Sequence, residues 1–303
     1  MSIVVIGSSA TDMISLVPHL PKPGETVIGA DFQTAAGGKG ANQAVAAARL
    51  GGDVTLLASI GQDHLGDQSI EGFQKDHLCV DYIQRPEGKS GVALIFVAEN
   101  GENSIAVSPG SNALLSPEYI KSNESVISQA CYLLAQLETP MESILAIAKL
   151  ANKYKIPFVL NPAPRTKKLT DELLQQVSIL TPNQTEACLL TGIEVIDQAS
   201  AEQAAQTLLQ RGVNTVILTL GEQGALIAEK GQPAKLIPGI NVTAKDTTGA
   251  GDTFNGALVL ALSKGESLEK AVRFANAAAA ISVTRIGAQP SAPDLAEVNQ
   301  LIG

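Results

Sequence analysis

The chain of 303 residues is 45% hydrophobic and 17% charged, with 27 glycines and 15 prolines spread along it, a composition that excludes disorder and collagen-like repeats and lets about three-quarters of the unfolded surface be buried. Its 30 acidic and 21 basic residues give a formal charge of −9, the wrong sign for gripping a nucleic-acid backbone. No apolar run approaches the roughly 18 residues of a membrane span, so neither nucleic acid nor a membrane is an expected partner.

In chain order, Met1-Ser2 leads straight into an apolar strand at 3–6, without the charged n-region and cleavage site of a secretory signal. The three cysteines, Cys79, Cys131 and Cys188, have neither the even count of a disulfide framework nor zinc-ligand spacing. Both features predict a cytoplasmic protein with buried thiols. A segment at 16–34 is punctuated by Pro18, Pro21 and Pro23, and a helix at 39–50 stops at Gly51-Gly52. A strand at 54–58 follows, then two short strands within 91–107 around Asn100-Gly101, a hairpin signal. Beyond it come a strand at 131–135, a helix at 143–154, strands at 158–160 and 179–181, a helix at 201–211, strands at 216–219 and 225–228, and helices at 253–263 and 268–284. Most of these strands are apolar at every position, as strands covered on both faces are. The alternation predicts an α/β fold with a mostly parallel central sheet and helices on both faces. No repeat or composition shift marks a boundary, so residues 1–303 read as one domain. Its two interruptions, roughly 11–36 and 90–108, predict a small β-sheet lid over the carboxyl ends of the strands, where open α/β sheets bind ligands.

The strongest local pattern is DTTGAGD, Asp246 to Asp252, running directly into the helix at 253–263. Gly249, Ala250 and Gly251 let backbone N–H groups and the positive end of the helix dipole face an anion. Asp252 is then either a site residue or an N-cap, for which Asp is a preferred type. AAGGKGAN, Ala35 to Asn42, also opens a helix and offers Lys39 and Asn42 to a ligand, or is simply a helix entry; it matches neither the P-loop nor the dinucleotide pattern. Asp12, six residues past the first strand, and Glu138, just past the apolar run beginning at 131, are acids at strand ends, suited to sugar hydroxyls or to an ordinary surface loop. Asn183 either caps the next helix or, with Glu186, holds water around Mg²⁺. The segment from Thr219 through Leu220, Gly221, Glu222 and Gln223 to Gly224 is either a plain turn or a close approach for a nucleotide. The small-residue helix around Asn276, with the irregular segment 282–291, either only packs or places carbonyls beside Asp246 for a monovalent cation. His19, His64 and His77 lack metal-ligand spacing. The cluster Arg165, Lys167 and Lys168 reads as a solvated face.

Taken in order, GGKGAN, QLE at 136–138, NPAP at 161–164, PNQTEA at 182–187, TLGEQG, DTTGAGD and AAAAISVTRIGAQPS resemble the ribokinase family of sugar kinases over essentially the whole chain. The resemblance implies a three-layer fold with a small β-sheet lid, ATP and Mg²⁺ as requirements, activation by K⁺, and phosphorylation of D-ribose at O5. It implies Asp252 as the base, with Gly249, Ala250 and Gly251 as the anion hole. Asp12, Gly38, Lys39, Gly40, Ala41, Asn42, Glu138 and Asp252 would contact the sugar. Asn183, Thr219 to Gly224, Gly251 and Asn276 would line the nucleotide site, with Glu186 beside the metal's waters. The cation loop carries over as Asp246, Thr248, Ser282, Arg285, Gly287 and Ser291, and a homodimer through the lid is implied as well. One departure is Ala10, where bacterial members often have Asn two residues before the lid acid; this opens related sugars or nucleosides as alternatives. A catalytically silent sensor is the alternative class, against which the intact Asp252 stands.

Overall fold

The computed structural model describes residues 2–164 and 169–303; the cluster Arg165, Lys167 and Lys168 lies outside them. In chain order the strands are β1 (Ser2–Ile6), β2 (Ala10–Val17), β3 (Asp31–Gly37), β4 (Asp53–Ser59), β5 (Ile83–Gln84), β6 (Gly91–Ala98) and β7 (Asn103–Ser108). They continue as β8 (Tyr132–Ala135), β9 (Phe158–Leu160), β10 (Ile179–Leu180), β11 (Thr215–Thr219), β12 (Gly224–Glu229) and β13 (Lys235–Pro238). The helices are α1 (Lys39–Arg49), α2 (His64–Lys75), α3 (Pro117–Ser122), α4 (Glu124–Ser128), α5 (Met141–Tyr154), α6 (Asp171–Leu174), α7 (Gln184–Thr191), α8 (Gln198–Gln210), α9 (Ala250–Ser263), α10 (Leu268–Ser282) and α11 (Leu295–Ile302).

Nine strands form one sheet in the order β13-β12-β11-β10-β9-β8-β1-β4-β5, parallel from β11 through β5 and antiparallel at β11/β12 and β12/β13. The fully apolar strands serve two cores, because alternate side chains point to opposite faces. Val4 and Ile6 of β1 pack with Leu133, Phe158, Leu160 and the α5 and α8 side chains, whereas Ile3 and Val5 pack with Val54, Leu56 and the α1, α9 and α10 side chains. The remaining strands form a separate sheet, β3-β2-β6-β7, in which β2 runs parallel to β6 and the other two pairs are antiparallel. No helix among the described residues is long and apolar enough to cross a membrane.

Several boundaries differ from the sequence expectations for identifiable reasons. Helix α9 begins three residues early because Gly249, at φ +73°, serves as its cap, which puts Asp252 inside the first turn. Helices α2 and α11, and the short α3, α4 and α6, lie outside the predicted set. Gly66 and Gly72 dilute the helical signal of α2, while α11 carries a legible capping box between Asp294 and Glu297. Asp12 is not at the end of a central strand but within β2 of the small sheet.

Helices α1 and α9 lie against each other because Gly256 has no side chain: a Cβ there would stand 2.4 Å from the Gln43 carbonyl oxygen and 2.9 Å from the Ala46 methyl. Both groups belong to a packed interface with little room to give. We expect Gly256→Val to lower folding stability by about 2 kcal/mol or more, read as a reduced urea midpoint at unchanged slope; an unchanged midpoint would mean that the two helices have slack.

Candidate active site

The chain leaves β1 toward β4 on one side, while β8 to β11 build up on the other. The β1/β8 boundary is therefore the switch point at which a crevice opens outside the carboxyl ends of the strands. Ser8, just past β1, donates its hydroxyl to Glu138 Oε2, just past β8, at 2.5 Å. The backbone N–H of Lys39, first residue of α1, donates to the same oxygen at 3.0 Å. One carboxylate thus ties the ends of both strands to the start of α1, and uses an orphan N–H of the helix to do so.

Asp252 is 7% exposed and caps nothing: its Oδ2 accepts from Asn42 Nδ2 at 2.9 Å and its Oδ1 from Gln43 Nε2 at 2.9 Å. The N-cap alternative is therefore overturned, since Gly249 occupies that position with no side-chain bond. Burial pushes the Asp252 carboxyl above its usual range, while the Lys39 ammonium and the two amides pull against that rise. Lys39 is held above its ordinary value, chiefly by the Asp252 charge, against its own burial and with help from Glu138, Glu186 and Asp12. Asp12 reaches the same group from the small sheet, its carboxyl folded over Gly37. Burial, then the charges of Glu138 and Asp252, lift Asp12 to about 6 against the pull of Lys39.

The cleft beside these groups is lined by Lys39, Asn183, Glu186, Thr219, Gly249, Gly251 and Asp252 from the predicted set, and by Asn161, Ala163, Thr181, Thr247 and Asn255. A Cβ on Gly251 would meet nothing, so this face of the helix end is open. Of the amides there, Ala250 donates to the Thr247 carbonyl at 3.2 Å and is occupied. Those of Gly249, Gly251 and Asp252 have no acceptor among the described residues, as expected of a free helix start. Of the three residues expected to form an anion hole, Ala250 is thus the one whose N–H is already engaged.

Other assignments are sorted the same way. Ala41, expected at the sugar, is fully buried and its N–H donates to the Ser8 carbonyl at 2.8 Å. Gly40 is wedged so tightly that a Cβ would stand 2.6 Å from Gly7 Cα, so it serves close packing. Gly38, at φ +88°, caps α1. Leu220 points into the core, and its N–H donates to the Gly224 carbonyl at 2.8 Å. Gly221–Gln223 form a single 3-10 turn joining β11 to β12. Asn276 donates to the carbonyls of Ile237 and Pro238 at 3.2 and 3.1 Å, and Pro238 pairs with Gly224. Asn276 therefore supports that turn from beneath. Asn183 and Glu186 form a reciprocal capping box at 2.8 and 2.9 Å, so the capping alternative is correct for Asn183 even though both residues border the cleft.

Asp246 Oδ1 accepts the hydroxyl and N–H of Thr248 at 2.6 and 2.9 Å, and its Oδ2 accepts the Gly287 N–H at 2.8 Å. Burial raises this carboxyl, but those three bonds outweigh burial and hold it below its usual range. Arg285 turns its guanidinium to Glu297. Ser282 and Ser291 donate their hydroxyls to the Ala279 and Ala288 carbonyls at 2.8 and 2.7 Å.

Sequence reasoning missed the amides around the acid: Gln43, Gln136, Asn161, Asn255 and Gln289. Asn255 accepts from the Thr181 hydroxyl at 2.6 Å and donates to the Gly251 carbonyl at 2.7 Å, steadying the first turn of α9. The available signal was a pair of successive amides, Asn42-Gln43, in an otherwise alanine-rich buried helix.

The raised Asp12 has a consequence for stability. The folded chain holds its proton more tightly than the unfolded chain, so stability is lost as pH rises from the ordinary value of 3.8 through about 6. We expect Asp12→Asn to stabilise the unliganded protein by about 1–2 kcal/mol at pH 8, allowing for partial solvent screening, and by almost nothing near pH 4. Thermal unfolding across that range checks it, and a gain independent of pH would contradict the assignment.

Residues 1–295 match the family described as pfkB family carbohydrate kinase. The chain is 44% identical to the ribokinase of Haemophilus influenzae over 302 residues, covering 99% of this chain and 98% of that one. It is 36% identical to the deoxyribokinase of Salmonella typhimurium over 303 residues, covering 100% and 99%. The structure of Arabidopsis thaliana ribokinase complexed with ribose and ATP superimposes with a TM-score of 0.94 at 33% identity, covering 99% of this chain and 98% of that one. The large sheet with helices on both faces and the smaller separate sheet are thus those of the ribokinase-like fold, and the chain belongs to the pfkB family of carbohydrate kinases.

Proposed function

We propose that the protein is a ribokinase of the cytoplasm, transferring the γ-phosphoryl group of ATP to O5 of D-ribose to give D-ribose 5-phosphate and ADP. The observation that carries the reading is Asp252: a buried carboxylate with a raised proton affinity, one residue from the open amide end of α9 and facing the Asp12, Lys39 and Glu138 cluster. Asp252 takes the proton of the sugar's primary hydroxyl as O5 attacks the γ-phosphorus and the bond to the β-phosphate oxygen breaks. The N–H groups of Gly249, Gly251 and Asp252 meet the charge on the transferring group, which is positioning and electrostatic work rather than covalent chemistry. Asp12, Gly38, Lys39, Asn42 and Glu138 hold the sugar hydroxyls. Asn183, Thr219, the turn through Gly224 and the Asn276 that braces it accommodate the nucleotide.

Two ions belong to this reading. No group of three or more His, Cys, Asp or Glu residues suited to a metal is present among the described residues. Mg²⁺ keeps several waters and takes few carboxylates, so Glu186 on the cleft wall would orient those waters, and the ion would offset phosphate charge. The loop of Asp246, Thr248, Ser282, Arg285, Gly287 and Ser291 offers an ionised carboxylate, hydroxyls and carbonyls with the Arg285 charge turned away, a hard-oxygen set suited to K⁺.

The small sheet reads as a lid with two working faces. By register, Asp12, Ala93 and Val107 share one face with Ile14, Ile95 and Ile105, an apolar wall beside the sugar acids. Met13, Leu94, Phe96 and Phe32 share the other, where Phe32 is 60% and Leu94 45% exposed. Exposed aromatic and aliphatic side chains on the small sheet, Ile105 and Val107 of the first face included, suit a second copy of the chain, which supports a homodimer through the lid.

A second reading, deoxyribose as the preferred sugar, is favoured by Ala10, whose methyl group offers no hydrogen bond beside Gly37 and Gly91. An ADP-release assay with ribose, deoxyribose, fructose and adenosine decides. We expect kcat/KM for ribose to lead; a lead for another sugar moves the substrate and keeps the mechanism, and silence on all four overturns the reading. Asp252→Asn should lower kcat by about 1,000-fold or more while ATP binding persists. Asp246→Ala should remove most of the response to K⁺ with little change in KM for the sugar, and an undiminished K⁺ response would take the cation from this loop.

A further inference from the structure

Each Asp252 oxygen accepts one side-chain amide, Oδ2 from Asn42 and Oδ1 from Gln43, both at 2.9 Å. A primary amide has nearly the same shape either way round; an ionised carboxylate selects its N–H, and a donor behind the amide holds that orientation whatever the state of the carboxylate. Behind each amide stands a glutamine that does not touch Asp252. Gln136 Nε2 donates to Gln43 Oε1 at 2.6 Å, and Gln289 Nε2 donates to Asn42 Oδ1 at 3.1 Å. The other Gln43 Nε2 bond goes to Asn161 Oδ1 at 3.2 Å, and Asn161 in turn donates to the Thr181 carbonyl at 2.9 Å. Gln43 is fully buried and Gln136 1% exposed. The carbonyl oxygen of Gln136 has no hydrogen-bond partner among the described residues, and it is pressed toward Gly7, where a Cβ would stand 2.2 Å from it. A buried acceptor without a donor costs stability, which the Nε2 bond to Gln43 has to offset.

We propose that Gln43 is a positioning residue for Asp252, and that Gln136 keys it from behind, so that the N–H of Gln43 always faces Oδ1 and the buried carboxylate stays ionised and aimed. The inference rests on the reading of Asp252 as the base. The charged groups around Asp252 are Lys39 on α1, Glu138 beyond β8, Asp12 on β2 and, acting on Lys39, Glu186 on α7. None of them changes when Gln43 or Gln136 is replaced, so a shift in ionisation reports the amide.

The test is the pH profile of the single-turnover phosphorylation rate with ribose and ATP, for the wild type, Gln43→Met and Gln136→Met, with thermal unfolding alongside. Methionine fills similar volume without a donor. In Gln43→Met the acid limb should move up by about one pH unit, so that the rate on that limb falls about tenfold, while KM for ribose stays within about threefold. Gln136→Met, which leaves every contact of Asp252 in place, should move the limb in the same direction by less. If Gln43→Met fails to fold, the Gln136→Met profile decides alone. Folded variants with acid limbs within about 0.2 unit of the wild type, while Asp252→Asn is inactive, would overturn the positioning role and leave the base in place. Near-normal turnover by Asp252→Asn would overturn the base and this inference with it.

Discussion

A carboxylate taken almost wholly out of water keeps its charge only if donors meet both of its oxygens, and the packing of α1 on α9 is what delivers those donors to Asp252. The approach is close because Gly256 leaves room for the Gln43 carbonyl. One turn before Gly256, Asp252 then lies within 2.9 Å of two successive amides of α1. The same crossing aligns the free amides at the start of α9 with the cleft. The proposed base and the proposed anion site are thus two consequences of one helix contact.

Helix α1 is also the member through which distant loops reach the site. Its first N–H binds Glu138, and Asn42 accepts from Gln289. Its last residue, Arg49, holds Asp76 through two bonds at 2.6 and 3.0 Å and donates to the carbonyls of Gln289 and Ala292. The segment 289–292, which contains Ser291 of the proposed cation loop, is therefore fastened to both ends of the helix that carries the amides facing Asp252. A change of geometry in that loop has a short polar path to Asp252: Gln289, Asn42, carboxylate.

Much of the fold was legible because its strands are covered on both faces, which forces apolar residues at every position, as in β1, β8 and β9. What was not legible had a physical reason in each case. Strand β13, with Lys235 and Pro238 at its ends, lies at a sheet edge and carries no such pattern. Strand β5 is two residues long. At the site, acids and glycines announced themselves because their chemistry is rare in loops that open helices. The orienting glutamines did not: Gln43, Gln136 and Gln289 are buried, and no sequence distinguishes a buried glutamine from a solvated one until the partners are placed. Asn183 shows the converse, for its capping signature was readable and real, yet says nothing of the cleft it borders.

Charge sets the last constraint. Four carboxylates, Asp252, Glu138, Glu186 and Asp12, act on the single ammonium of Lys39, and Lys39 is the one cation among the described residues that line the cleft. A helix start contributes the equivalent of about half a positive charge, too little to offset this excess when a polyphosphate enters. A neutral sugar meets no such barrier; its hydroxyls are suited by acceptors, which is what the carboxylates are. The field of the site thus favours one proposed substrate and opposes the other. Cations from solution, at the sites proposed for them beside Glu186 and in the loop at Asp246, would relieve the opposing part. On this argument the ion requirement of the proposed reaction belongs to the nucleotide half of the site, and follows from the acids that make the sugar half work.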